Sequence, residues 1–486
     1  MGPGTVTAAR IHKGQLQGRP GEEGSLAFDR FPNVALSKTY NVDHQVTDSA
    51  ATATAFLCGV KANYGTLGVG PKVKRGDCNA IKTESNITCF AELAQRAGKA
   101  TGFVTTSRVT HATPAPLYAR TADRMWEGDS ELPEEAKEGG CVDIAAQLLG
   151  PVGSNLNVVM GGGRKFLLPN TEPDPEQSQS RGLREDGRNL VVEWMRDKET
   201  RRFQAKYAYD QSSFDSIEPS ETDYMLGLFE YSHMKYESER SMEENGEPSL
   251  AEMVQKAIQV MQANEKGFFL LVEGARIDHA HHSSTARRAL EEVLSMEKAV
   301  LAAMQQVNLD ETLIVVTADH SHPLTISSYA TRGNPILGEY VDFMPYTTLS
   351  YANGPGYRSS PRPNLTNVIT DTYVYQQASA VPSRIVSHDG TDVGIYATGP
   401  MAHLFHSTHE QHYIYHVMSY ASCLDVSGKH CQRLRDPAFY RSHSTLDAAS
   451  INERTLLYGE VHAGAHKVQL WVALHSIIII LFILKL

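Results

Sequence analysis

Along its first third the chain alternates short β-prone apolar runs with segments of helical spacing. The strand-like runs are Asn33-Val-Ala-Leu36, Thr101-Gly-Phe-Val-Thr-Thr106 and Asn157-Val-Val-Met160. Helical spacing covers Ala50 to Leu57, Cys89 to Ala97 and Val142 to Leu149. Strand–helix alternation of this kind builds a mostly parallel sheet with helices on both faces. Residues 170 to 250 are polar and acidic and read as a surface excursion. Ser249 to Asn264 then resumes helical spacing and leads into Gly267-Phe-Phe-Leu-Leu-Val272, and a second buried-type run follows at Thr312-Leu-Ile-Val-Val-Thr317. Residues 323–385, rich in Gly, Pro, Ser, Tyr and Asn, read as an inserted subdomain. The pattern predicts an α/β fold with a central, mostly parallel sheet flanked by helices and a small insert.

Composition narrows the partners. The 486 residues are 41% hydrophobic and 21% charged, as in a globular protein. A net charge of −11 disfavours generic binding to nucleic acid or an anionic membrane, so an anionic substrate needs local cations. The six cysteines include no CxxC, which leaves a thiolate zinc site unsupported. Cys58, among small and apolar residues, reads as a buried free thiol. Cys423 and Cys431 are spaced to close a small loop. Asn86-Ile-Thr88 and Asn364-Leu-Thr366 are glycan acceptor triplets for a chain entering the secretory route.

The termini give conflicting signals. The apolar run from Leu470 to Leu484 is too short and interrupted for a span of roughly 20 residues. With the small residues Asp447-Ala-Ala-Ser450 upstream it fits a glycolipid (GPI) anchor signal, with Asp447 as attachment residue and 448–486 removed on maturation. Met1 to Arg10, by contrast, has neither the basic start nor the apolar centre of a signal peptide.

Two segments concentrate metal-ligating side chains directly after predicted strands. They are Glu273-Gly-Ala-Arg-Ile-Asp278-His279-Ala-His281-His282 and Asp319-His320-Ser-His322. The carboxyl edge of an open α/β sheet is where such folds bind ligands. Imidazole with carboxylate suits zinc, and carboxylate-rich positions suit magnesium. Asp278 and His282, four apart, share one face of a helical turn. At Asp48-Ser49-Ala-Ala-Thr-Ala-Thr-Ala55 two readings stand side by side. The serine is a helix cap, or it is a nucleophile at a helix N-terminus that favours an anion. His403, His406, His409, His412 and His416 recur every three or four residues, but Pro400 and the apolar residues between them read as a turn entering a helix.

Asp48-Ser49-Ala-Ala-Thr-Ala-Thr-Ala, with Leu57-Cys-Gly-Val-Lys61 after it, resembles the nucleophile segment of animal, GPI-anchored alkaline phosphatases. Val104-Thr-Thr-Ser-Arg-Val-Thr-His111-Ala-Thr113, Gly161-Gly-Gly-Arg164, the two ligand-rich segments and Ser387-His388-Asp-Gly-Thr-Asp-Val extend the resemblance across about Thr5 to Cys431. It implies hydrolysis of phosphate monoesters at alkaline pH through a phosphoserine at Ser49, with Arg124 clamping phosphate oxygens. Asp278, His282 and His388 would hold one zinc, and Asp319, His320 and Ser49 the other. Thr113 and Glu273 would hold magnesium, with His111, His279 and His322 as supporting groups behind the ligands. The same resemblance implies a calcium site at Phe229 and Glu230 with Glu247 and Asp210, disulfides Cys78–Cys141 and Cys423–Cys431, and a homodimer on the extracellular face of the plasma membrane. The catalytic domain would cover 1–447.

One departure from the family stands out. Its core begins with a strand ending Gly-Asp-Gly-Met-Gly, whose Asp bridges the second zinc and the magnesium. Here Met1-Gly2 aligns with the last Met-Gly, so a truncated gene model lacking that Asp, the first strand and the signal peptide is expected. The missing Asp opens one other reading, a catalytically impaired metal- or phosphate-binding surface protein. A separate alternative is a related metal-dependent phosphodiesterase or sulfatase, against which the serine with Arg124 favours monoesters.

Overall fold

The structure, a computed structural model, describes residues 1–84, 87–240, 246–424 and 480–484. In chain order its strands are β1 (Asn33–Lys38), β2 (Ala100–Arg108), β3 (Val158–Gly162), β4 (Ala205–Ala208), β5 (Tyr224–Leu228), β6 (Phe268–Glu273) and β7 (Ile314–Ala318). The later ones are β8 (Leu324–Ile326), β9 (Glu339–Val341), β10 (Pro345–Thr347), β11 (Leu349–Gly354), β12 (Ser379–Pro382), β13 (Val393–Thr398), β14 (Thr408–Glu410) and β15 (Ile480–Leu484). Ten of them form the central sheet in the order β14-β1-β13-β7-β15-β6-β2-β3-β5-β4. Every neighbouring pair is parallel except those of β13, which runs antiparallel to both β1 and β7. The predicted α/β class is the observed one.

That topology decides where the chemistry sits. Because β1 and β7 are both antiparallel to β13, they run the same way as each other and as β2 and β6. The carboxyl ends of β1, β2, β6 and β7 and the amino end of β13 therefore meet at one edge. Residues following the first four strands, and those just before β13, are delivered to the same place.

Strands β2, β3, β5, β6 and β7 are buried on both faces and read as continuous runs, whereas β1 and β13, near one end of the sheet, alternate. Val104, Leu270, Val272, Ile314 and Val316 face helices Leu250–Met261 and Ala286–Gln306. Phe103, Phe269, Leu271 and Val315 face helices Ser49–Cys58, Phe90–Arg96 and Tyr413–Ala421. Leu250–Met261 begins in a reciprocal capping box between Ser249 and Glu252, which satisfies two of the amides a helix start leaves open. Helix Pro3–Leu16 opens the chain, and its N-terminus lies against the loop after β7. A Cβ on Gly2 would fall 1.8 Å from Ser321 Oγ.

Several expectations need correcting. Residues 170–250 are not only a surface excursion, because β4 and β5 complete one end of the sheet and helix Leu190–Thr200 buries Leu190, Val191 and Trp194. The five residues of β5 are all buried and carry no alternation, and the acidic stretches around them mask so short a run. Cys58 is not a free thiol: it is disulfide-bonded to Cys89. Both cysteines sit at ends of helices that pack on the same sheet face, a long-range contact that local composition does not encode.

Other features fall where the sequence pointed or beyond it. Cys78 is bonded to Cys141. Cys423 is disulfide-bonded, and Cys431 lies outside the described residues, as do Asn86 and Asp447. Residues 323–385 hold β8 to β12 in two small sheets. The histidine run is divided among a 3-10 turn at Ala402–Leu404, β14 and the helix Tyr413–Ala421. Of the C-terminal segment read as an anchor signal, Ile480–Leu484 forms β15, parallel to and between β6 and β7, with Leu481 level with Leu271 and Val315. No helix among the described residues is long and apolar enough to cross a membrane.

One buried carboxyl makes the long helix sensitive to pH. Glu292 lies inside Ala286–Gln306, and burial pushes its carboxyl up to about 7, against a 2.6 Å hydrogen bond from the Glu237 amide. A carboxyl raised on folding supports stability below its ordinary pKa, and that support is lost as pH climbs to about 7. Glu292→Gln keeps the acceptor without the charge. Its melting temperature relative to the parent should rise between pH 5 and pH 8, by the equivalent of at most about 3 kcal/mol. A difference that stays flat across that range contradicts this account.

Candidate active site

Ser49 is the first residue of the helix Ser49–Cys58, which follows β1 and is buried along its whole length. Small side chains, alanine and threonine, let that helix pack close to the sheet. It ends at Gly59, whose φ of 77° favours glycine. Asp48 caps the start, accepting from the amides of Ala50 (3.2 Å) and Ala51 (3.4 Å). The same carboxylate accepts from the Gly65 amide at 2.9 Å and from Arg124 Nη1 at 3.0 Å. One side chain thus fixes both the serine's helix and the arginine beside it. No other hydrogen-bond partner holds the Arg124 side chain among the described residues, so most of its fork remains for a ligand.

The strand ends supply the rest. Asp319 and His320 follow β7 and are completely buried. His320 Nδ1 donates to the Ser321 carbonyl at 3.3 Å, so in the neutral ring Nε2 presents a lone pair. That Nε2 lies 3.1 Å from Ser49 Oγ and 3.2 Å from Asp319 Oδ2. Burial holds the His320 and His322 imidazoles well below the ordinary histidine range, which keeps both rings neutral.

A second cluster surrounds Asp278. Asp278 and His282 lie four apart on helix Arg276–His282, which follows β6, and His388 arrives just before β13. His282 Nδ1 donates to the Val386 carbonyl at 2.6 Å and His388 Nδ1 to the Thr47 carbonyl at 2.8 Å. With neutral rings, both Nε2 atoms then present lone pairs, and they face each other at 3.2 Å. Asp278 Oδ1 lies 3.2 Å from His282, 3.4 Å from His388 and 3.4 Å from His322. Burial alone would raise the Asp278 carboxyl, but the imidazoles of His282, His388 and His322 outweigh it and hold it well below the usual carboxylate range. His322, expected behind the ligands, stands as near to Asp278 as His388 does. Neither of its buried ring nitrogens has a hydrogen-bond partner.

These separations fit metal coordination. Ligands about 2.0–2.1 Å from a tetrahedral zinc lie roughly 3.3 Å from one another. Lone pairs facing lone pairs and carboxylates at that spacing repel unless a cation lies between them. The ligand atoms of Asp278, His282, His322 and His388 all fall within 4.8 Å of one another. Asp319, His320 and Ser49 form the neighbouring set. A third position lies at the ends of β2 and β6, which pair in register at Thr105 and Glu273. There Glu273 Oε2 accepts from Thr105 Oγ1 (2.5 Å) and Ser107 Oγ (3.1 Å). Further along the chain after β2, the buried Thr113 Oγ1 has no hydrogen-bond partner. Oxygen donors of this kind suit magnesium.

Ser49, Arg124, Asp278, His282 and His388 line one open groove of about 420 Å³. His111 and His279 stand together in a separate group completed by His233, a residue that sequence reasoning missed because it is a lone histidine in a polar stretch. The residues expected at a calcium site have the following partners. Asp210 caps helix Gln211–Asp215, Glu230 pairs with Lys235 at 3.0 Å, and Glu247 accepts from the Lys235 amide at 2.7 Å. Phe229 is buried against Phe214.

Comparison with known proteins agrees with this geometry. Residues 1–424 match the alkaline phosphatase family profile. The chain is 48% identical over 448 residues to the tissue-nonspecific alkaline phosphatase of Gallus gallus, covering 90% of this chain and 85% of that protein. Identity to the human (Homo sapiens) tissue-nonspecific isozyme is 48% over 442 residues, covering 89% and 83%. Among solved structures, Thermus thermophilus alkaline phosphatase superposes with a TM-score of 0.61 at 22% identity, covering 87% of this chain and 89% of that one. The alkaline phosphatase of the Antarctic bacterium TAB5 gives 0.57 at 21%, covering 87% and 94%, and a mutant of it has been solved with Mg bound in its M3 site. With relatives matched so far along both chains, the protein is a phosphoric monoester hydrolase. It belongs to the alkaline phosphatase family.

Asp48 is the residue whose loss should separate stability from catalysis. Asp48→Ala removes the helix cap and the anchor of Arg124 together. Thermal unfolding should show a loss of about 1–2 kcal/mol, and the KM for p-nitrophenyl phosphate should rise. An unchanged KM would mean that Asp48 does not position the arginine.

Proposed function

We propose that the chain hydrolyses phosphate monoesters by way of a covalent phosphoserine at Ser49, in a site built for two zinc ions and one magnesium. The observation that carries this reading is the pair of donor sets at 3.1–3.4 Å spacing, one in contact with Ser49 and one lining the same groove. Asp278, His282 and His388 would hold one zinc, with His322 within reach; Asp319, His320 and Ser49 would hold the other; Thr113 and Glu273 would hold magnesium. When bound, such ions lower the pKa of a coordinated hydroxyl or water and neutralise charge on the attacking and leaving oxygens.

The chain's own residues perform the rest. Ser49 Oγ attacks phosphorus, the bond from phosphorus to the ester oxygen breaks, and the alcohol leaves with a proton. Water then attacks the phosphoserine, and inorganic phosphate departs with Ser49 restored. Arg124 binds two phosphate oxygens through its planar fork, held at the correct angle by Asp48. The positive end of the Ser49 helix dipole favours the anion there. Phosphoryl transfer needs mainly positioning and charge stabilisation, and a rigid helix start on a ten-stranded sheet supplies both.

The wider setting follows the same reading. A second copy would cover the apolar side chains that the insert leaves in solvent, chiefly Tyr329 and Phe343, so the working form is a homodimer. Asn364, exposed on the insert, is a glycan acceptor consistent with an extracellular, GPI-anchored protein.

Rapid acid quench of the enzyme with excess p-nitrophenyl phosphate, followed by peptide mass spectrometry, tests the covalent step. Phosphate should be found on Ser49, and Ser49→Ala should lose at least about 10³-fold in kcat/KM, as loss of a nucleophile does. Full turnover by Ser49→Ala, or turnover without label on Ser49, defeats the proposal.

A further inference from the structure

We propose that His111, His233 and His279 form an additional transition-metal site, separate from the catalytic clusters, that takes zinc or another divalent ion with an affinity for imidazole. The three side chains come from three places on the sheet edge: the turn after β2, the loop after β5, and the helix after β6. His279 follows Asp278 on helix Arg276–His282, and successive residues on a helix diverge by about 100°. The same short helix therefore sends Asp278 and His282 into the catalytic groove and His279 into this second group.

The geometry is that of a site with three imidazoles. One ligand nitrogen from each ring falls within 4.8 Å of the others. Ring centroids lie 5.0 Å apart for His111 and His233, 4.2 Å for His233 and His279, and 5.8 Å for His111 and His279. Small side-chain rotations bring such nitrogens to the roughly 3.3 Å spacing of tetrahedral zinc ligands. All three residues are half-buried, so an ion has a path in. A set of nitrogen donors alone discriminates against magnesium and calcium, which take oxygen.

The tautomers can be read from two arginines. Arg108 Nη1 contacts His233 Nε2 at 2.5 Å, and Arg276 Nη1 contacts His279 Nδ1 at 3.0 Å. A guanidinium only donates, so each of those nitrogens carries a lone pair, and a metal competes with the arginine for it. Both arginines have other partners to fall back on. Arg108 forms a two-pronged pair with Glu127 at 2.8 and 2.5 Å, and Arg276 stacks 3.7 Å over Tyr236. Three neutral imidazoles leave a fourth coordination position open to water or an anion.

The test uses the full chain, loaded with zinc and magnesium, equilibrated with excess Co2+ and desalted before metal analysis. Wild type, His233→Leu and His233→Asp are compared, the last retaining a ligand in place of the imidazole. Wild type and His233→Asp should hold about one more Co2+ per chain than His233→Leu, and wild type should show the visible bands of tetrahedral cobalt. Equal cobalt counts in all three proteins overturn the site. So does wild-type protein alone that takes up no Co2+ beyond its catalytic complement, whatever the folding of the variants.

Discussion

The structure turns on the burial of ionisable donors at one edge of its sheet. Asp319 and His320 are wholly buried and Asp278 nearly so, and the donor atoms of their clusters stand 3.1–3.4 Å apart. Removing a carboxylate from water costs several kcal/mol unless opposite charge compensates it. The protein meets that cost with geometry. Backbone carbonyls at Thr47, Ser321 and Val386 fix the rings of His388, His320 and His282 so that their Nε2 atoms converge. Lone pairs and carboxylates at this spacing repel one another unless a cation lies between them, which is the physical basis of the proposed metal sites.

Sheet topology makes that convergence possible. Strands β1, β2, β6 and β7 run in one direction and β13 in the other. Ser49, after β1, and His388, before β13, therefore arrive at the same edge although they are far apart in sequence. The apolar faces on either side, one covered by Leu250–Met261 and Ala286–Gln306 and the other by the Ser49 helix and its neighbours, hold the edge rigid.

What was legible in the sequence is what short-range chemistry encodes. Glu273 to His282 and Asp319 to His322 could be read because each ligand set lies within ten residues of an apolar strand, and Asp48-Ser49 because a helix cap is local. The parts that escaped depend on distance or context. The Cys58–Cys89 bond joins helix ends brought together only by packing. Strands β4 and β5 are short and lie in acidic surroundings. His233 gains meaning only beside His111 and His279, which the turn after β2 and the helix after β6 deliver. The resemblance of motifs supplied the roles; the structure supplied the distances between them.

The central claim is that the donor sets around Ser49 are zinc sites. Anomalous diffraction at the zinc edge, on crystals grown with zinc and magnesium, tests it most directly. The account predicts two zinc peaks, one bounded by Asp278, His282 and His388 and one by Asp319, His320 and Ser49. Well-ordered side chains in both sets with no anomalous density between them would contradict it.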